Sequence, residues 1–204
     1  MKLELRDRLS FRSLLEPADS ARALFLDPPE IGTCRLRLRR LRMRDARDIY
    51  RWSADPDVAR YVLWDPHRSV WDTRDYLRYI RSLYRRGLPS SWGVELRETG
   101  KVIGTIGIMG WNPEHRFAEI GYSFGRAWWH QGYAPEALSA LLDLLFERTQ
   151  VNRVEGMCDV RNEASARVME KCGMRREGLL RKRVVNKGEE VDVYLYAILR
   201  SDRI

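Results

Sequence analysis

The stretch that most constrains the fold is Glu119-Ile120-Gly121-Tyr122-Ser123-Phe124-Gly125-Arg126-Ala127-Trp128-Trp129-His130-Gln131-Gly132-Tyr133-Ala134-Pro135-Glu136-Ala137. Residues 118–124 read as a strand and 125–131 as a polar, aromatic loop. Residues 132–148 read as the strongest helix of the chain, with Ala137, Leu138, Leu141, Leu142 and Leu145 on one stripe. A strand passing through a glycine turn into an amphipathic helix predicts a sheet with that helix packed on its face. Gly132 and Ala134 are small enough for backbone N–H groups to come close to a ligand. A helix start also leaves unpaired N–H groups and roughly half a positive charge. Together these features suit a pyrophosphate. Pro135 fits the first turn, where a missing N–H costs nothing. A glycine before a helix is also a common turn residue, and this pattern alone does not separate the two uses.

The rest of the chain alternates in the same way. Residues 35–39 follow a period of two and read as a strand. Asp45 stands where it could cap a short helix over 46–53, which Pro56 ends or restarts. Residues 71–86 read as a second helix closed by Gly87. Strands follow at 91–96 and 102–108 around Thr99-Gly100-Lys101, and another at 153–160. A short helix over 164–171 precedes Gly173, and strands at 179–185 and 191–199 flank Asn186-Lys187-Gly188. The order β-α-α-β-β-β-α-β-α-β-β predicts one mixed α/β sheet with helices on its faces. Residues 1–30 read as an N-terminal extension, mildly helical over 11–16 and broken at Asp27-Pro28-Pro29. Residues 31–204 read as a single domain.

Composition narrows the class. With 204 residues, 44% hydrophobic and 32% charged, the chain suits one globular domain. The net charge of +8 admits a solvated basic surface, a nucleic acid or an anionic small molecule as its reason. No nucleic-acid recognition motif is present and the arginines are spread along the chain, which disfavours the second. The longest apolar run, 137–146, contains Asp143 and is too short to span a bilayer. With no apolar stretch near Met1, the expectation is a cytoplasmic protein without a membrane partner. Three cysteines without a CxxC, and His67, His115 and His130 without i,i+4 partners, predict neither a disulfide framework nor a metal site.

Trp129-His130-Gln131-Gly132-Tyr133-Ala134 resembles the acetyl-CoA motif Q/R-x-x-G-x-G/A of the GCN5-related N-acetyltransferases. It departs from that motif in having Trp at the first position. The departure is similar to the branch that modifies ribosomal-protein N-termini (RimJ/RimL-like), where an aromatic residue is common before G-x-G-Y-A-x-E-A. The likeness extends to 37–46, to Ile103-Gly104-Thr105-Ile106-Gly107, and to 162–178 with Asn162, Ser165 and Glu170-Lys171-Cys172-Gly173. It covers roughly 33–199 in the family's order.

The resemblance implies a mostly antiparallel sheet whose central strand pair is splayed, with acetyl-CoA held in the gap. Backbone groups of Ser123 and Phe124 would hold pantetheine. Those of Gln131, Gly132, Tyr133 and Ala134 would hold the pyrophosphate, with Trp129 at the entrance or packing the loop. Asn162 would reach the cofactor as well as cap its helix. Ser165 would donate a hydrogen bond to the leaving sulfur, and its bland alternative is an ordinary helix serine. Glu119 would take a proton from the amine, directly or through water, and its alternative is a salt bridge. Trp64, Asp65, His67 and Arg68 fall where the family builds its acceptor pocket. The implied reaction is direct attack of a free amine on the acetyl carbonyl, without metal or acyl-enzyme. The acceptor is an N-terminal α-amine of a ribosomal or other protein, or a small amine such as a polyamine, amino acid or antibiotic. A non-catalytic acetyl-CoA-binding module is the rival from another class. Residues 1–30 could cover the pocket, build a homodimer or be disordered.

Overall fold

The computed structural model describes residues 15–203. Eight strands form one sheet in the order β1-β2-β3-β4-β5-β6-β8-β7. They are β1 (Ile31–Gly32), β2 (Leu36–Arg40), β3 (Ser91–Leu96), β4 (Val102–Asn112), β5 (Phe117–Phe124), β6 (Arg153–Asp159), β7 (Arg175–Asn186) and β8 (Glu189–Leu199). Every neighbouring pair is antiparallel except β5 and β6, which run parallel. The helices are α1 (Leu15–Leu26), α2 (Ala46–Ser53), α3 (Pro56–Ala59), α4 (Val70–Arg86), α5 (Tyr133–Arg148) and α6 (Glu163–Lys171). This is the mixed, mostly antiparallel α/β sheet that the sequence predicts.

Local chemistry sets the boundaries. Ser69 accepts from the Trp71 amide while Asp72 reaches back to the Ser69 amide, so α4 begins in a capping box. It ends where Gly87 turns left-handed at φ 62°. Lys187 and Gly188 take φ 51° and 85°, the paired positive values a tight hairpin turn needs between β7 and β8. Strands β4 and β7 outrun their expected lengths because register shifts at Ile108/Gly110, Arg176/Gly178 and Leu180/Val184 interrupt the alternation without ending the pairing.

Two apolar clusters pack about the sheet. The larger joins Leu138, Leu141, Leu142 and Leu145 of α5 to Ile106, Ile120, Val154 and Ile198. The smaller joins Ile49 and Trp52 of α2, Leu77, Ile80 and Tyr84 of α4, and Val102. Adjacent Val102 and Ile103 of β4 belong to different clusters, as side chains on opposite strand faces do.

Two expectations change. Helix is described over 15–26, well past the expected end at 16, and residues 11–14 of the expected helix fall outside the described residues. Ala21, Leu24 and Phe25 of α1 are buried in the larger cluster, with the Phe25 ring edge-on to Trp111 at 5.2 Å. This part of the extension therefore shares the domain's core. Asp45 does not cap α2. Its Oδ2 accepts from the Arg42 amide at 2.7 Å, and its two oxygens receive the Arg39 guanidinium at 2.9 Å each. Arg39 is only 2% exposed, and a buried cation needs carboxylates around it. Glu95 supplies a second, with Oε2 2.5 Å from Arg39 Nε.

Candidate active site

Strands β5 and β6 pair only from Phe117↔Arg153 to Ile120↔Gly156. Beyond that point β5 continues along β4 to Phe124 and β6 along β8 to Asp159. The edge of β5 facing β6 thus loses its strand partner over residues 121–124. Helix α6 presses on β6 at the fork, where a Cβ on Gly156 would come within 2.8 Å of Met169 Sδ. A cleft of about 660 Å³ opens there. Tyr122, Ser123 and Phe124 line it from β5, Asn162 and Ser165 from α6, and Trp129, Gly132, Tyr133 and Ala134 from the approach to α5. Within the gap, the Phe124 carbonyl already accepts from Trp129 Nε1 at 2.7 Å. Trp129 therefore both lines the cleft and packs its loop.

The start of α5 is an open donor site. His130 and Gly132 take φ 60° and 78°, and Gly132 caps the helix without a side-chain hydrogen bond. The amides of Tyr133 and Ala134 have no intrahelical acceptor at these positions. Arg35 braces this turn. Its Nη1 donates to the Gln131 carbonyl at 2.9 Å, its Nε to Glu136 Oε2 at 2.7 Å, and its guanidinium lies 4.4 Å from the Tyr133 ring centre. Thr33 Oγ1 donates to Glu136 Oε1 at 2.6 Å. Burial would raise the Glu136 carboxyl, but the Thr33 and Arg35 hydrogen bonds hold it below its ordinary value. Gln131 contributes its carbonyl to this brace and its side chain to Ala127 O, and it does not line the cleft.

Helix α6 presents Ser165. Asn162 Oδ1 accepts from the Ser165 amide at 3.1 Å, so Asn162 is the helix cap, while the residue also lines the cleft. The Tyr122 hydroxyl lies 3.0 Å from the Ser165 carbonyl and 2.9 Å from its Oγ. Burial pushes the Tyr122 phenol well above its ordinary value, so it stays protonated at neutral pH.

Glu119 alternates with Ala118, Ile120 and Tyr122, so it faces away from α6, on the opposite face of the sheet, and it does not line the cleft. It sits in register with Glu155 of β6. Burial first and Glu155 second raise its pKa, and Arg183 lowers it in part. Cys158 and Cys172 are each pushed up to about 11 by burial, which leaves no thiolate nucleophile there.

Trp64, His67 and Arg68 do not line the cleft. His67 Nδ1 sits 2.8 Å from Ser53 Oγ and 2.7 Å from Thr73 Oγ1, and burial lowers its pKa. Trp64 stacks obliquely on it at 5.6 Å, and the Arg68 amide donates to Asp72. These residues tie the loop before α4 to α2 and α4. Asp57, Val58 and Tyr61 from the preceding segment line the cleft instead. Lys187 Nζ holds that segment, donating to the Ala59 and Val62 carbonyls at 2.8 Å each. Sequence reasoning passed over Arg35, which belonged to an alternating polar face, and Tyr122, which read as one more strand aromatic. The visible sign for Tyr122 was a polar-tipped side chain in step with buried Ile120 and Phe124.

The sheet thus forks between its parallel central strands, beside a helix N-terminus without a side-chain cap. The family model for the acetyltransferase (GNAT) domain matches residues 35–175. The uncharacterized N-acetyltransferase p20 of Bacillus licheniformis is 34% identical over 170 residues, covering 83% of this chain and 96% of p20. Mycobacterium smegmatis RimJ, solved in complex with CoA-disulfide, superposes with a TM-score of 0.77 at 26% identity, covering 86% of this chain and 89% of that one. A Vibrio cholerae structure, provisionally assigned as a ribosomal-protein-serine acetyltransferase, gives 0.76 at 26% identity, with 84% and 98% covered. The chain belongs to the GCN5-related N-acetyltransferase family and is an acetyl-CoA-dependent N-acetyltransferase. No helix among the described residues is long and apolar enough to cross a membrane.

Proposed function

We propose that this enzyme acetylates the α-amine at a protein or peptide N-terminus, with acetyl-CoA seated in the fork between β5 and β6. The observation that carries this reading is the fork itself, with the open N-terminus of α5 at one end and Ser165 lining it from α6; Glu119 lies just before the fork, on the opposite face of the sheet. The residues suit the cofactor's chemistry. Backbone along 121–124 without a strand partner, its Phe124 carbonyl already shared with Trp129, can pair with the amides of pantetheine, as an added strand would. The amides at 132–134, with the helix's positive end, suit the pyrophosphate. Asn162 has amide donors beyond its capping oxygen. When bound, the cofactor supplies an activated acetyl group and a thiolate leaving group.

The chain's own part is positioning and charge stabilisation. Ser165 donates a hydrogen bond to charge developing on the sulfur. Glu119 accepts the amine proton, directly or through one water. A carboxylate is a weak base even with a raised pKa. It suffices for an α-amine of pKa about 7.7–8.0, roughly a tenth or more of which is already free at pH 7, and poorly for a lysine at about 10.4. The provisional ribosomal-protein assignment of the Vibrio cholerae neighbour points the same way.

The test is an acetyl-transfer screen with radiolabelled acetyl-CoA against N-terminally free peptides, their N-blocked counterparts that retain lysine, polyamines, amino acids and aminoglycosides. Transfer confined to free α-amines supports the reading. Faster transfer to a small amine replaces the acceptor, and no transfer to any acceptor favours a binding module.

A further inference from the structure

Tyr122 is a half-buried, polar-tipped residue of the cleft that the reading above leaves unused. We propose that it is a positioning residue of the reaction, directing the Ser165 hydroxyl toward the cleft when negative charge develops there. The inference rests on the assignment of Ser165 to the leaving sulfur.

Three oxygens share two protons. The Tyr122 hydroxyl has one, Ser165 Oγ has one, and the Ser165 carbonyl has none; Tyr122 is 3.0 Å from the carbonyl and 2.9 Å from Oγ. In one arrangement Tyr122 donates to the carbonyl and Ser165 donates back to Tyr122, so the serine proton points away from the cleft. In the other, Tyr122 donates to Ser165 Oγ, and the serine proton turns into the cleft. The second is a donor chain, in which the hydrogen bond received by Oγ polarises the one it gives. The two differ only by rotation of two hydroxyl protons, so no heavy atom need move.

The surroundings hold this pair in place. The Ser165 amide is fixed to Asn162 Oδ1, so the helix start cannot drift from the strand. Tyr122 and Ser165 both line the cleft. Burial keeps the phenol protonated, and Tyr122 acts as a hydrogen-bond donor that keeps its proton. The balance is complete without it. The carbon–sulfur bond breaks with its electron pair going to sulfur, the new carbon–nitrogen bond forms, and the amine proton leaves to Glu119 or water. Ser165 and Tyr122 end with the protons they began with.

The test compares CoA with desulfo-CoA, which lacks the sulfur, by calorimetric titration at about pH 9, where a thiol of pKa about 8.5 is mostly ionised. A hydrogen bond to a charged group predicts that the wild type prefers CoA by about tenfold or more. Tyr122→Phe and Ser165→Ala should each lose most of that preference while binding desulfo-CoA normally, and the double variant should lose no more than the worse single one. If Ser165→Ala loses the preference and Tyr122→Phe keeps it, the Tyr122 proposal falls alone. If Ser165→Ala keeps it, or the wild type shows none, the assignment of Ser165 falls and Tyr122 with it. Loss of desulfo-CoA binding in Tyr122→Phe would mean a structural role and also overturn the proposal.

Discussion

Arg35 grips Glu136 across the mouth of α5, with Nε 2.7 Å from Oε2, while its Nη1 holds the Gln131 carbonyl at 2.9 Å. The two contacts span the Gly132 turn, so one side chain sets how the free amides of that turn are aimed. The pair is partly exposed and contributes little to global stability, about 1 kcal/mol or less. Arg35→Ala should leave the melting temperature nearly unchanged and weaken acetyl-CoA binding by about three- to tenfold, in line with the loss of charge-assisted hydrogen bonds. Unchanged affinity in a calorimetric titration would remove the brace from the account.

Gly132 is the most restrictive point of that turn. At φ 78° a side chain is strained, and a Cβ would stand 3.3 Å from Arg35 Nη2. Gly132→Ala carries the strain alone, about 1 kcal/mol. Gly132→Glu adds a negative charge beside the proposed pyrophosphate position. The glutamate variant should lose acetyl-CoA affinity by well over the loss seen for alanine, with both variants folded by circular dichroism. Equal affinities for the two would place the pyrophosphate elsewhere.

Glu119 predicts a signed pH dependence. Burial and the neighbouring Glu155 raise its pKa, and Arg183 opposes them. Because the base must be ionised, the acid limb of kcat/KM should lie above the ordinary carboxylate range. Glu155→Gln should move that limb to lower pH, and Arg183→Ala to higher pH. Glu119→Gln should lower kcat by about a hundredfold and abolish the limb. Stability follows the opposite sign. A carboxyl with a raised folded pKa supports the fold below its unfolded pKa and loses that contribution as pH rises through the folded value. At neutral pH Glu119→Gln should therefore not lower the melting temperature. A large drop would mean that Glu119 is a structural ion-pair partner.

Arg39, Asp45 and Glu95 form a buried charge cluster between β2, β3 and the turn before α2. Arg39→Met would leave the buried Asp45 without a cation and Glu95 with Arg37 alone, at a cost of about 3 kcal/mol. Urea unfolding should show the midpoint falling with an unchanged slope. A cost below about 1 kcal/mol would mean that water reaches the cluster.

Much of the architecture was legible because the informative residues act through the backbone. Gly87, Gly132, Gly173 and Gly188 all take positive φ, and each stood at an expected turn or helix end. The α5 stripe was legible because its leucines meet one face of the sheet. Asp45 was misread because its nearest sequence neighbour was a helix, whereas its strongest partner is Arg39, a buried cation on an adjacent strand. Trp64, His67 and Arg68, expected at an acceptor pocket, do not line the cleft. His67 and Trp64 look functional in one dimension, but the chain folds His67 back onto Ser53 and Thr73, with Trp64 against its ring. The lining falls to residues 57–62, held by Lys187 from a hairpin more than a hundred residues away. Arg35 and Tyr122 act only through partners distant in sequence, which no local period reports.

The most direct test of the central claim is a calorimetric titration of the full chain with acetyl-CoA, with ATP as the anionic control. Saturable binding of acetyl-CoA at one site, much tighter than ATP, is the expected result, because pantetheine in the β5/β6 fork adds contacts that a nucleotide phosphate lacks. Equal binding of the two ligands, or none of acetyl-CoA, would contradict it.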